Sequence, residues 1–125
     1  MRFLDRLADR PQAALWYATH PATGAGELLA VQAQGPFPSL RDPQVLRTLC
    51  PQAGLNPRDV RRDHERGTLY LTHQAAICQA AQRLYPGLLL RDDTQGLHWS
   101  LVVWDPERVR VKGRLRFQPA FQVAS

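Results

Sequence analysis

The sequence predicts one α+β domain over residues 1–125: an antiparallel sheet, made of an N-terminal hairpin and a C-terminal three-stranded meander, packed against two or three short helices. Three observations carry this expectation. The chain has 125 residues, 44% of them hydrophobic, which suits one core better than two. Its last third holds short apolar-alternating runs separated by turn-forming sequences. Its middle holds helical spacing with capping residues at the boundaries.

Phe3, Leu4, Leu7 and Ala8 fall at helical spacing and Pro11 stops the run, so residues 2–9 read as a short N-terminal helix. Ala13–Thr19 and Glu27–Ala33 are apolar-rich stretches around a Gly- and Pro-containing loop, a pattern that predicts a hairpin. Gly35-Pro36-Phe37-Pro38 then interrupts regular structure. Asp42 followed by Pro43 is an N-cap with proline at the first helical position, so a helix starts at Pro43.

From Thr72 to Tyr85, Ile77, Ala80, Ala81 and Leu84 share a face that excludes Gln74, Gln79, Gln82 and Arg83, the spacing of an amphipathic helix. Pro86-Gly87 ends it. Leu88–Asp92, Leu97–Trp104 and Arg108–Phe117 follow, joined by Asp93-Thr94-Gln95-Gly96 and Asp105-Pro106-Glu107, and these turns predict the meander. In its middle strand Leu97, Trp99, Leu101 and Val103 face one way, while Val102 and Trp104 make the other side apolar too.

Charge is unevenly placed. Lys and Arg number 16 against 11 Asp and Glu, for a net +5, and the chain is balanced as far as Glu107. The entire excess comes from Arg108, Arg110, Lys112, Arg114 and Arg116, which alternate with Val109, Val111, Gly113, Leu115 and Phe117. Strand periodicity puts five cations on one face. Neighbours about 7 Å apart lie within the Debye length and repel, so a polyanion is a natural counterpart. The plainer reading is an edge strand whose cations prevent aggregation, paired across the sheet with Asp92 or Asp93.

A second basic element runs from Leu46 to Arg66. Leu49 and Ala53, Gly54 at a turn, Leu55, a capping Asn56, Pro57 and Val60 form a pattern that resembles a helix-turn-helix motif at 46–66. The resemblance implies that its second helix displays Arg58, Arg61 and Arg62, with Arg66 at its end, to phosphates and guanine edges. Pro51 inside the first helix and Asp63 at an expected apolar position depart from the motif. A competing reading makes Arg58–His64 and Thr68–Thr72 a β-hairpin, which leaves the arginines exposed as well.

The signatures of common chemistries are missing: the chain contains no GxxxxGK[ST], no HExxH and no GxSxG, and Gly24-Ala25-Gly26 sits in a loop. His20, His64, His73 and His98, with Cys50 and Cys78, lack the spacing of a metal site or a nucleophile–base pair. Structural histidines, reduced thiols and core tryptophans are expected, with no catalytic residue, metal or cofactor. No apolar run is long enough to span a bilayer, and Met1–Gln12 lacks the apolar stretch of a secretory signal, so the expected compartment is the cytoplasm.

These readings favour a non-enzymatic nucleic-acid-binding protein, DNA more than RNA, that works through the cationic strand and the Arg58–Arg66 segment. An adaptor, chaperone or inhibitor docking an acidic protein partner is the alternative, and a small basic nuclease the third. Palindromic sites and exposed strand edges both favour twofold assembly, which leaves a homodimer open.

Overall fold

The computed structural model describes the backbone of residues 5–8, 26–93 and 96–117, and the side chains of residues 31–93 and 96–113. The first helix, α1 (Pro43–Ala53), starts where its cap dictates: Asp42 is extended and its Oδ1 accepts from Gln44 N at 2.9 Å. Val45, Leu46, Leu49 and Cys50 form its buried face. Pro51 is tolerated because it lies in the last turn, so its missing N–H costs a single helical bond before the chain leaves the helix at Gly54, at φ 69°.

Asn56 then caps α2 (Pro57–Arg66) through Oδ1 to Arg58 N at 2.9 Å. Val60 is fully buried on this helix, so the competing hairpin reading of residues 58–72 is overturned. Strong cap chemistry at both Asn56 and Gly67 outweighs the low apolar content of the segment.

The expected helix over 72–85 is divided. A single turn, α3 (Leu69–Thr72), is followed by α4 (Gln74–Gln82), with His73 at the junction. Ile77, Ala80 and Ala81 are buried as the spacing requires, but Leu84 is 48% exposed. The cause is a tightened end: Leu84 N bonds to Ala81 O at 3.0 Å, an i to i−3 bond that rotates Leu84 out of helical phase. Tyr85 packs against the core instead.

Strands β3 (Gly87–Asp92) and β4 (His98–Val103) form the expected antiparallel pair. Leu88, Leu90 and Val102 pack with the helices in the core, together with buried His98 and Ser100. The alternation along β4 is as expected, but the face shared with Leu88 and Leu90 is His98, Ser100 and Val102, while on the other face Val103 is fully buried, Trp99 and Leu101 are half-buried and Leu97, just before the strand, is exposed.

Two expectations about strand partners fail. Residues 5–8, the described part of the expected N-terminal helix, form strand β1 (Asp5–Ala8) along the second edge of β4. So short a helix has little intrinsic stability, whereas an open strand edge offers hydrogen bonds at once. The expected meander stops at two strands because β5 (Val109–Phe117) pairs with β2 (Gly26–Ala33) in a separate sheet. Asp105-Pro106-Glu107 leads into a 3-10 turn, Pro106–Arg108, and both edges of β4 are already taken, leaving the eight residues of β2 as the described partner. The expected hairpin arm at Ala13–Thr19 lies outside the described residues.

Among the described residues, four helices, a three-stranded sheet in the order β1-β4-β3 and a two-stranded ribbon β2-β5 form a small α+β domain. Among the described residues no helix is long and apolar enough to cross a membrane.

Candidate nucleic-acid interface

The ribbon register decides how the cationic strand is displayed. Val109 and Val111 lie opposite Ala33 and Val31, and Arg110 opposite Gln32. The pairing then shifts between Ala30 and Val31, so that Gly113 faces Ala30, Arg114 faces Leu29 and Arg116 faces Glu27. Lys112 is the extra residue. A bulge of one residue inverts the alternation beyond it, which puts Arg114 and Arg116 at register positions of the Val109–Val111 face and Arg110 on the opposite one.

The single-face row of five cations is therefore not what the ribbon presents. Arg108 precedes the strand, in the 3-10 turn, where its Nε lies 3.4 Å from Asp105 Oδ2 and its Nη1 donates to Gln34 O at 3.2 Å. Gln34 N donates to Arg108 O at 2.7 Å and closes the base of the ribbon. Arg110 and Lys112 are exposed, and no ion pair involves them among the described residues. An open cleft of about 520 Å³ at this base is lined by Gln32, Gln34, Glu107, Arg108 and Arg110.

On α2, Arg58 and Arg61 are exposed, as is Arg66. Arg62 differs from them, because its Nη1 is 3.6 Å from Asp59 Oδ1 and its Nε donates to Asp63 Oδ1 at 3.2 Å. The helix holds four arginines against Asp59, Asp63 and Glu65, a formal excess of one. The chain path is helix, three-residue connection, helix, but that path alone does not make the pair a DNA reader.

Asp63 explains the departure from the helix-turn-helix pattern. The carboxylate is buried where an apolar side chain was expected, and it accepts from Thr72 Oγ1 at 2.9 Å as well as from Arg62, with His73 Nε2 at 3.8 Å. The Thr72 hydroxyl, followed by the Arg62 guanidinium and His73, holds its carboxyl below the usual range against the opposing effect of desolvation. It joins α2 to α3 and to the start of α4.

The two buried histidines are held by hydrogen bonds within the fold. His64 is buried and its Nε2 accepts from Arg91 N at 3.0 Å, so its proton sits on Nδ1. Burial, then the charges of Arg91 and Arg41, push its pKa down to about 4. His98 is buried too, with Nδ1 2.8 Å from Gly96 O and Nε2 3.2 Å from Ser100 Oγ. Burial raises the pKa of the Cys50 thiol. Among the described residues no three His, Cys, Asp or Glu side chains converge as a metal site requires, and His20 lies outside them.

One grouping escaped the sequence reading: the Arg91 guanidinium lies 5.5 Å from the centroid of Trp99, whose ring lies 5.6 Å from that of His64, and the charges of Arg91 and Arg41 both act on this histidine. Their separation of up to 58 positions leaves no local pattern that could have revealed it. Comparison with known protein families, curated proteins and solved structures returns no match.

Proposed function

We propose that this protein binds nucleic acid without catalysing a reaction on it, with the β2-β5 ribbon as the principal contact and Arg58 and Arg61 of α2 as a secondary one. The observation that carries the reading is the place of the cationic strand: it belongs to a two-stranded ribbon and not to the sheet packed on the helices. The major groove of B-DNA admits a two-stranded ribbon, whereas the major groove of A-form RNA is too narrow. That difference favours DNA. Cations at positions of both ribbon faces suit phosphates on the two sides of a groove, and phosphate contacts supply affinity without sequence information.

An acidic protein partner is the second reading. It is favoured by Val111, which is 46% exposed between Arg110 and Lys112, since a protein surface would cover this apolar side chain and a phosphate row would not. Binding to labelled duplex DNA and duplex RNA across a salt series tests the proposal. The expected result is tighter binding to DNA, with log K falling linearly in log salt. Absence of binding to either duplex at low salt overturns it and leaves the protein partner.

A further inference from the structure

A strand edge left open is a template for another chain, and proteins block such edges with charge, bulges, short length or cover. Three of the edges here are treated in this way. In the main sheet the outer edge of β3 is met by Pro38 O, the His64 imidazole and Gly67 O, and β1 is only four residues long. On the ribbon, β5 carries Arg110, Lys112, Arg114 and Arg116, with the bulge at Lys112. β2 has none of these guards. Its eight residues, Gly26–Ala33, include no proline and a single charge, Glu27, and among the described residues no strand pairs with its outer edge. A two-stranded ribbon is marginally stable by itself and is secured by further strands.

We propose that the outer edge of β2 is a self-association edge, on which a second copy of this chain adds its own β2 in antiparallel pairing about a twofold axis, giving a four-stranded sheet in the order β5-β2-β2-β5. An axis normal to the sheet keeps each face with itself, so a residue opposes one an even number of positions away. With Ala30 on the axis, Leu29 opposes Val31, Leu28 opposes Gln32, and Glu27 opposes Ala33 of the second copy. No like charges meet across this seam. The cross-strand pair of Val31 with Val111, which is 46% exposed, is then continued by Leu29 of the second copy as one apolar row. Shifting the axis to Leu29 sets Glu27 against Val31 instead.

Charge selects both the edge and the occupant. Pairing through β2 keeps the two β5 strands three strand spacings apart, about 14 Å and beyond the Debye length of about 8 Å, whereas pairing through β5 sets cations about 5 Å from cations. An acidic partner is drawn to β5, where the cations are, and not to β2. A second copy, whose own β2 is equally sparse in charge, meets this edge without repulsion. The assembly stands independently of the nucleic-acid reading, and it leaves a cationic strand at each outer edge of the sheet.

Sedimentation equilibrium of the full chain over a range of micromolar concentrations, without nucleic acid, measures the assembly. The expected result is a rise with concentration from 14.1 kDa to twice that mass. Ala30→Cys brings two Cα atoms to about 5 Å across the axis, within disulfide reach, and links the dimer under mild oxidation. Leu28→Cys and Gln32→Cys link only when the two variants are mixed, and the wild type, with Cys50 and Cys78, does not link. Ala30→Lys sets two like charges opposite each other and weakens association by about tenfold or more, while circular dichroism stays unchanged because an edge strand tolerates lysine. A mass of 14.1 kDa at every concentration overturns the proposal and leaves the edge to another segment or another protein. A dimer that Ala30→Lys leaves intact, or that Ala30→Cys fails to link, overturns it as well, because the contact then lies elsewhere. Duplex binding is scored in a separate titration, so its failure and the failure of this edge are read apart.

Discussion

The backbone N–H of Arg91 ends on Nε2 of His64, 27 positions earlier, at 3.0 Å. This bond completes the outer edge of β3. Leu89 N is met by Pro38 O at 2.9 Å, and Asp93 N by Gly67 O at 3.1 Å. Three successive outward-pointing donors are thus satisfied by a loop carbonyl, an imidazole and a helix-terminal carbonyl, which blocks the edge against pairing with another chain.

Protonation of His64 removes that acceptor and leaves a charge in the interior, so stability falls on acidification. The folded side chain takes its proton at about pH 4 and the unfolded one near 6.5, so the unfolded chain holds more protons between these values. The contribution is therefore complete above about pH 6.5 and drains away down to about pH 4, by about 3 kcal/mol in all. Urea unfolding between pH 4 and 7 reads this slope. His64→Gln flattens it, and a variant curve parallel to the wild-type one would assign the slope to another group.

Gly54 and Gly67 both sit in the left-handed region, at φ 69° and 72°. A Cβ at Gly54 meets nothing within 4 Å, whereas one at Gly67 would lie 2.7 Å from Leu97 Cδ1 and 2.9 Å from Asp93 N. Gly54→Ala therefore costs the backbone penalty alone, about 1–2 kcal/mol. Gly67→Ala adds overpacking against strand backbone, for roughly 3 kcal/mol or more. Thermal unfolding of the two variants gives the ranking directly, and equal losses would contradict the close approach.

Thr72→Val removes the hydroxyl that donates to Asp63 and raises the Asp63 pKa toward the ordinary carboxyl value. A lowered carboxyl pKa stabilises above the unfolded value and loses that contribution as pH falls through the folded one. The variant is accordingly less stable at neutral pH, and the difference closes in acid. Carboxyl carbon NMR titration of Asp63 checks the cause, with an unmoved pKa counting against it.

Alanines at Arg110, Lys112, Arg114 and Arg116 make the DNA salt slope shallower, by up to about 0.9 for each phosphate that is no longer neutralised. On α2, Arg58→Ala and Arg61→Ala add to this effect with little change in stability. Arg62→Ala, which breaks pairs to Asp59 and Asp63, lowers stability and leaves the slope nearly unchanged. A slope that responds to Arg62 as strongly as to Arg61 would mean that the internal pairs open on binding.

Much of the fold was legible because its signals are local. Asp42 with Pro43, and Asn56 with Pro57, specify helix starts within three residues, and the short apolar runs Leu88–Asp92 and Leu97–Trp104 with turn residues between them specify paired strands. The exposure of Arg58 and Arg61 could be read in the same way. Which strands pair is a different kind of question, since it depends on which edges remain open after the rest of the chain has folded. Only the tertiary structure could place residues 5–8 against β4, send β5 to β2, and insert Lys112 as the bulge that divides the cations between two faces. It also decided that Arg62 is occupied by Asp59 and Asp63, and that Arg91 and Trp99 meet beside a buried histidine. Hydrogen bonds to a neighbouring residue are written in spacing, whereas contacts between distant segments are set by competition for the same edges and the same interior.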